Sequence, residues 1–219
     1  MPSKNKISAV LFDFDMTLID SSYAITECTN LLAKAKGQRL VTREEVLAVI
    51  GLPIEKSWET LWGQGVVEPD WVQYYREHLR GAEFVNYRLF PGSMEVPKVL
   101  KEAGLLVGVV SNRRFARLAV EGVGMAPMMD VIVGLEDVQH PKPDPESVQV
   151  GISKLGTSAD SVLYVGDTDI DMRTACAAGV RGIGVTTGNF DRAKLLDAGA
   201  HRVCDDLCEI VDLIKEYNA

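Results

Sequence analysis

The 219-residue sequence has few cysteines, no excess of positive charge and no long apolar run, and each absence narrows the class of protein. Its four cysteines form no CxxC pair and no disulfide framework, which favours a reducing cytoplasm. The net charge of −8 argues against nucleic acid or an anionic membrane as partner, because both need a basic surface. The apolar run at 7–12 ends at Asp13 and is too short for a signal-peptide core or a membrane span.

Five short apolar runs are present instead, each rich in β-branched residues and bounded by Gly, Asp or Asn. Such runs are typical of strands buried on both faces of a parallel sheet. They lie at 7–12, 105–110, 131–134, 161–166 and 180–185. Helical patterns follow at 93–103, 113–121, 145–155, 169–178, 191–198 and 206–217. The alternation predicts an α/β fold whose core is a Rossmann-like open parallel sheet.

Roughly seventy residues after the first strand break this alternation and contain no convincing strand. Their patterns predict helices at 21–36, 43–50, 54–62 and 68–80. The three tryptophans, Trp58, Trp62 and Trp71, lie in this segment and can supply a small core of its own. We therefore expect an inserted helical domain at 20–88 and an α/β domain made of 1–19 and 89–219.

Polar residues follow the predicted strands, and in an open α/β sheet ligands bind beyond the carboxyl ends of the strands. These residues are Asp13 and Asp15, Ser111 and Asn112, Lys142 before the helix at 145, and Asp167 and Asp171. Carboxylates about 4 Å apart repel by roughly 4 kcal/mol at an effective dielectric near 20, so a cation must offset them. Oxygen ligands suit Mg²⁺, and a metal, a lysine and a hydroxyl around an aspartate suit phosphoryl transfer through an aspartyl-phosphate.

Four segments resemble the motifs of the haloacid dehalogenase-like superfamily, and its phosphoglycolate-phosphatase-like branch in particular. They are DFDMTLIDS (13–21), VVSNR (109–113), HPKPDP (140–145) and YVGDTDIDMRTACAAG (164–179). Their order and spacing match along essentially the whole chain, and the insertion matches the helical cap domain of that branch. The resemblance implies a cytoplasmic, Mg²⁺-dependent phosphatase that hydrolyses a small phosphate monoester, such as phosphoglycolate or a sugar phosphate, through an aspartyl-phosphate.

The resemblance also implies a role for each matching residue. Asp13 would be the nucleophile, Asp15 the general acid and base, and Lys142 the cation that neutralises nucleophile and phosphate. The substrate-binding residues would be Ser111, Asn112 and Arg113, with Thr17 fixing the loop after the nucleophile. The metal would be held by Asp13, the backbone carbonyl of Asp15, Asp167, and Asp171 acting through water.

Several residues have competing interpretations. Asp167 is also suited to capping the helix that follows it, while Asp169 and His140 are expected to face solvent or to be structural. The family usually has Gly where this chain has Met16, a departure that bears on hinge geometry or substrate fit rather than on the chemistry. Glu55 and Lys56 lie in the cap turn that approaches the site, and are candidates for specificity.

The sequence leaves other functions open. A β-phosphoglucomutase-like isomerase shares all four motifs, whereas Asp15 argues against a 2-haloacid dehalogenase. A phosphonoacetaldehyde hydrolase would need a cap lysine with a recognisable signature, and none is found. A phospho-receiver switch, from a different class, would be about half as long and lack a cap. The expected partner is a small phosphorylated metabolite, and the chain is expected to be a monomer or a homodimer.

Overall fold

A computed structural model describes residues 6–79 and 87–219. The strands are β1 (Ala9–Phe12), β2 (Ile19–Asp20), β3 (Arg88–Leu89), β4 (Leu106–Val110), β5 (Val131–Val133), β6 (Val162–Gly166), β7 (Arg181–Val185) and β8 (Arg202–Cys204). Six of them form one parallel sheet in the order β5-β4-β1-β6-β7-β8. The predicted α/β fold and its five strands are confirmed. The short strand β8 was not predicted, since it has three residues and begins at an exposed arginine.

Ten α-helices are found in the described ranges. They are α1 (Ser22–Lys36), α2 (Arg43–Leu47), α3 (Ile54–Trp62), α4 (Trp71–His78), α5 (Glu95–Glu102), α6 (Ala116–Gly122), α7 (Glu146–Leu155), α8 (Asp169–Ala178), α9 (Arg192–Asp197) and α10 (Glu209–Asn218). The helix expected from residue 113 begins only at Ala116, because Phe115 adopts a left-handed conformation with φ 59°. None of the described helices is long and apolar enough to cross a membrane.

The central strand β1 is buried on both faces. Val10 and Phe12 pack on one face in a cluster with residues of α5, α6 and α10. Ala9 and Leu11 pack on the other face with residues of α7 and α8. A strand between two helical layers must be apolar at every position, which explains the unbroken run in the sequence.

Helices α1 to α4 form the inserted part of the chain, which we call the cap. Its hydrophobic cluster includes Trp58, Trp71 and Tyr75, and the ring centroids of Trp58 and Tyr75 lie 5.5 Å apart. Trp62 packs against this cluster, so the tryptophans form the cap core as expected. The helices expected at 43–50 and 68–80 are shorter in the structure, and residue 80 lies outside the described ranges.

The expectation that the inserted segment and its edges hold no strand is wrong at β2 and β3. Ile19 pairs with Leu89 and Asp20 with Arg88 in an antiparallel ribbon where the chain enters and leaves the cap. Strands of two residues are too short to show alternation, so no pattern could predict them. The predicted domain boundaries at 19/20 and 88/89 fall on this ribbon and stay a prediction. The assignment of residues 1–5 to the α/β domain and of 80–86 to the cap concerns residues outside the described part.

The order of the strands places a site at the carboxyl end of β1. The chain leaves β1 and forms β4 on one side, then forms β6 on the other, so β1 lies where the order reverses. Loops diverge at such a point and open a crevice. The backbone N–H of Asp13 donates to the carbonyl of Val165 at 2.8 Å, which holds the start of the first loop against β6.

Candidate active site

Lys142 lies at the centre of the buried polar residues beyond β1. Its ammonium group donates to Asp13 Oδ1 at 2.8 Å and to Asp171 Oδ1 at 2.6 Å, and its side chain is 2% exposed. Burial alone lowers the pKa of Lys142, but the carboxylates of Asp13 and Asp171 outweigh it and hold that pKa well above its ordinary value. Lys142 is therefore a permanent positive charge beside Asp13.

Asp171 is held by hydrogen bonds at both of its carboxylate oxygens. Oδ1 accepts from Lys142 and from the Tyr164 hydroxyl at 3.0 Å, and Oδ2 accepts from the Thr168 hydroxyl at 2.6 Å. Thr168 and Asp171 also form the capping box of α8, so the helix start fixes this carboxylate. Asp171 is thus positioned beside Asp13, with its oxygens already engaged by protein groups.

Asp167 follows β6 and is 2% exposed. Its Oδ1 accepts from the Thr17 hydroxyl at 2.9 Å, while Thr168 caps the helix, so the alternative of Asp167 as the helix cap is not seen. A Cβ on Gly188 would lie 1.8 Å from Asp167 Oδ2, which means that only glycine leaves room for the carboxylate. Thr17 is fully buried against Asp167, and a direct contact of Thr17 with substrate stays a prediction.

Asp13, Asp167 and Asp171, which we call the acidic set, offer oxygen atoms within 4.8 Å of one another. Burial raises the pKa of Asp13 to about 7 in spite of Lys142, and burial together with the other two carboxylates raises the pKa of Asp167. These raised pKa values reflect the cost of ionising all three carboxylates, because the fully ionised set would keep two negative charges beside the single Lys142 ammonium. A divalent cation balances this charge, and its preferred ligands are carboxylate oxygens. The acidic set therefore fits a metal ion such as Mg²⁺.

Asp15 is paired with Arg113, outside the acidic set. The Arg113 guanidinium donates from Nε to Asp15 Oδ2 at 2.9 Å and from Nη2 to Oδ1 at 2.6 Å. Burial favours the neutral acid, but the charge and hydrogen bonds of Arg113 outweigh it and lower the pKa of Asp15. Arg113 was expected to bind the substrate, whereas in the structure it binds Asp15, the expected general acid.

Ser111 and Asn112 follow β4 and are both buried. Asn112 donates to the carbonyls of Gly51 and Lys142 at 3.0 and 3.2 Å, and its Oδ1 accepts from the N–H of Lys142 at 2.8 Å. The Ser111 hydroxyl accepts from the N–H of Arg113 at 3.1 Å. Asn112 thus connects the loop that carries Lys142 to the cap turn at Gly51.

Comparison with known proteins identifies the family of the chain. The sequence profile of the haloacid dehalogenase-like hydrolases matches residues 10–185. The chain belongs to this family. It is 33% identical over 187 residues to the pyrophosphatase PpaX of Bacillus velezensis, covering 82% of this chain and 83% of that one. It is 30% identical over 222 residues to a phosphoglycolate phosphatase of Rhodospirillum rubrum, covering 93% and 89% of the two chains.

A solved structure supports the fold of this family member as well. A haloacid dehalogenase-like hydrolase from Bacteroides fragilis superposes with a TM-score of 0.83 and 31% identity, covering 94% of this chain and 100% of that chain. The resemblance stated from the four motifs is thereby confirmed. The role of each residue in this family member is still a prediction that rests on the geometry above.

Sequence reasoning missed two positioning residues. Tyr164 lies inside β6, where a strand residue is expected to be core, yet its hydroxyl contacts both Lys142 and Asp171. Gly188 follows β7 in a loop that carried no recognisable motif. Thr168 could have been found, since Thr168-x-x-Asp171 is a capping-box pattern.

Residues set aside in the sequence behave as expected. His140 is exposed and contacts Glu146 at 2.9 Å, and Asp169 pairs with Arg173 at 3.0 Å. His140, Asp144 and Glu146 also lie close enough to hold a metal ion, but Glu146 already accepts from two backbone N–H groups. The described cysteines are all free thiols.

A cavity of about 1010 Å³, counting its open mouth, extends from Asp13 and Asp15 into the cap. Besides the hydrogen bond from Asn112 to Gly51, two further contacts between described residues cross from the core to the cap beside it. Arg114 Nη2 lies 3.9 Å from Glu55 Oε1, and the Arg76 guanidinium lies 5.0 Å from the centre of the Phe115 ring. Lys56, the other specificity candidate, is exposed and faces Glu59 within the cap.

Proposed function

We propose that this chain is a Mg²⁺-dependent phosphatase that hydrolyses a small phosphate monoester through an aspartyl-phosphate on Asp13. The observation that carries the proposal is the position of Asp13, which borders the cavity, lies within the acidic set and contacts the Lys142 ammonium. A carboxylate in this position is a nucleophile beside groups that balance the charge of a phosphate.

In the first step the Asp13 carboxylate attacks phosphorus, the P–O bond to the alcohol breaks, and Asp15 gives its proton to the leaving oxygen. Lys142 neutralises the equatorial phosphoryl oxygens, and the Ser111 hydroxyl hydrogen-bonds to them. The Asn112 side chain, expected to bind phosphate as well, already donates to Gly51 and Lys142 and so positions the Lys142 loop instead. In the second step Asp15 accepts a proton from water as water attacks the phosphoryl group, which releases phosphate and restores Asp13.

Asp15 must be protonated for the first step, but Arg113 favours its ionised form. The pair must therefore open, or be weakened by substrate, before the leaving oxygen receives its proton. Mg²⁺ would be held by Asp13, the Asp15 carbonyl and Asp167, with Asp171 in support. When bound, it would supply positive charge that lowers the repulsion between the acidic set and the phosphate.

The experiment is the hydrolysis of p-nitrophenyl phosphate by the purified chain, with Mg²⁺ and with EDTA. We expect metal-dependent release of p-nitrophenol that is lost in Asp13→Asn. The matched control is Asp169→Asn, the same change on a carboxylate that pairs with Arg173 outside the acidic set.

Asp13→Asn with near-normal activity contradicts the proposal. A stable phosphoprotein without turnover indicates a phospho-receiver switch, and interconversion of sugar phosphates without net hydrolysis indicates a mutase. The proposal also includes a small phosphorylated metabolite as partner and a cytoplasmic location. The net charge of −8 argues against nucleic acid or an anionic membrane as the partner, and the free cysteines support a cytoplasmic location.

A further inference from the structure

The cavity beyond Asp13 reaches into the hydrophobic core of the cap. Its wall includes residues from each of the four cap helices, among them Ile25, Val46, Trp58, Leu61 and Val72. Val46, Trp58 and Leu61 are buried members of the cap's own hydrophobic cluster. Apolar side chains of the cap therefore border the same cavity as Asp13 and Asp15.

Charged groups lie where the cap meets the core. Arg113 is engaged with Asp15, Arg114 faces Glu55 across the junction, and Arg76 stacks over Phe115. Beyond this junction the wall is formed mainly by aliphatic and aromatic side chains. The cavity thus has a charged mouth beside the phosphate position and an apolar interior.

Such an interior favours some leaving groups over others. A leaving group of a few polar atoms, such as glycolate or phosphate, would lose hydration against an apolar wall. An apolar group gains roughly fourfold in affinity for each methylene it buries. An unfilled apolar cavity also forfeits dispersion contacts of the residues that line it.

We infer that the substrate of this chain is a phosphate monoester whose alcohol is a mainly apolar group of several carbon atoms that extends from Asp13 towards the cap. This inference rests on the proposed phosphatase function and narrows its substrate class. It distinguishes the substrate of this chain from pyrophosphate and phosphoglycolate, the compounds for which the two relatives are named, since both of those have small, charged leaving groups.

The test is a series of primary alkyl phosphates (ethyl, butyl and hexyl), which share the same leaving-group chemistry and differ only in apolar length. Phosphate release is measured with the full chain and Mg²⁺. We expect kcat/KM to rise at least about tenfold from ethyl to hexyl phosphate. Values that are flat or fall with chain length overturn the inference.

Two variants test the location of the alkyl chain. Val49→Phe narrows the cavity from the turn after α2 and is expected to lower the hexyl-to-ethyl ratio of kcat/KM at least about fivefold. Val99→Phe makes the same change on an exposed position of α5, where 41% of the residue is accessible, and should leave the ratio unchanged. If Val49→Phe does not fold, Ile50→Phe tests the same wall, and an unchanged ratio in the folded variant contradicts the assignment.

Turnover of p-nitrophenyl phosphate separates the two proposals. If it depends on Asp13 while the alkyl series shows no preference for length, the phosphatase proposal stands and the apolar substrate class is wrong. If the unmodified chain shows no Asp13-dependent turnover of any of these esters, the phosphatase proposal fails and the inference fails with it.

Discussion

The core side of the cavity is charged, whereas the cap side is mainly apolar. On the core side, Asp13, Lys142 and Asp171 are buried and joined by hydrogen bonds of 2.6 to 2.8 Å. On the cap side, the wall is mainly aliphatic and aromatic. The core side can therefore carry out charge-dependent chemistry on any phosphate, whereas the cap side can discriminate only by size, shape and polarity.

The largest effect should come from the cation on the core side. Lys142→Met keeps the length of the side chain and removes its charge, which leaves Asp13 and Asp171 without their shared partner. We expect kcat to fall by about 10²–10³-fold, the range for removing one preorganised donor. Steady-state hydrolysis of p-nitrophenyl phosphate, with circular dichroism to confirm folding, measures this.

Lys154→Met is the matched control for that change. Lys154 contacts Asp137 at 3.0 Å on the surface, and its side chain is 47% exposed. Its loss should leave kcat within about twofold, since exposed ion pairs contribute little. Similar values of kcat for Lys142→Met and the unmodified chain would contradict the claim that the charged core side carries out the chemistry.

The second effect concerns metal removal and pH. Burial raises the pKa of Asp13 from 3.8 to about 7, so between these values the metal-free folded chain retains a proton that the unfolded chain has lost. Its free energy of unfolding therefore falls as pH rises through this window, and the loss is complete above about 7. Mg²⁺ offsets the buried negative charge that forms as Asp13 ionises, so it should raise Tm more at about pH 8 than at about pH 5.

Thermal unfolding with Mg²⁺ and with EDTA at the two pH values checks this prediction. Asp167→Asn removes one carboxylate of the acidic set and should reduce the Mg²⁺-dependent rise in Tm. An equal rise in Tm at both pH values, or an undiminished rise in Asp167→Asn, would show that Mg²⁺ acts elsewhere.

The smallest effect lies in the loop between β1 and β2, which leads from the core towards the cap. Met16 has φ 63°, a left-handed conformation that costs a residue with a Cβ about 1–2 kcal/mol. Met16→Ala and Met16→Gly both lose the buried side chain, but only Gly relieves the strain. We expect Met16→Gly to be more stable than Met16→Ala by about 1 kcal/mol in chemical denaturation.

The same pair of substitutions at Lys98, on the exposed face of α5, is the control. There Ala should be more stable than Gly by about 1 kcal/mol, the ordinary order in a helix. If Met16 shows the same order as Lys98, the conformation of Met16 is not strained, and the preference of the family for Gly at this position needs another explanation.

The sequence predicted the core side well because its residues follow strand ends. Asp13 and Asp167 follow the neighbouring strands β1 and β6, so parallel pairing alone brings them to one edge. Lys142 lies between two prolines, in a turn where the N–H of Asp144 donates to the carbonyl of Pro141 at 3.0 Å, rather than in the extended segment that the prolines suggest. The structure places the Lys142 ammonium between Asp13 and Asp171. The chemistry assigned to these residues stays a prediction, although their convergence is observed.

The cap side could not be predicted in the same way. Its four helices were expected, but the space between them depends on how their side chains pack, which no local pattern records. The pairing of Arg113 with Asp15 depends on a side-chain conformation, and β2 and β3 are too short to show periodicity. The residue types in the sequence therefore predicted the reaction. The shape of the cavity, which we propose selects the substrate, follows from side-chain packing and could be described only from the structure.

The central claim is that Asp13 carries the phosphoryl group. The most direct measurement is mass spectrometry of the chain quenched in acid during turnover of p-nitrophenyl phosphate with Mg²⁺, using Asp15→Asn to slow the second step. We expect one phosphoryl group per chain, located on the peptide that contains Asp13 and absent from Asp13→Asn. A phosphoryl group on another residue, or continued turnover in Asp13→Asn, would contradict it.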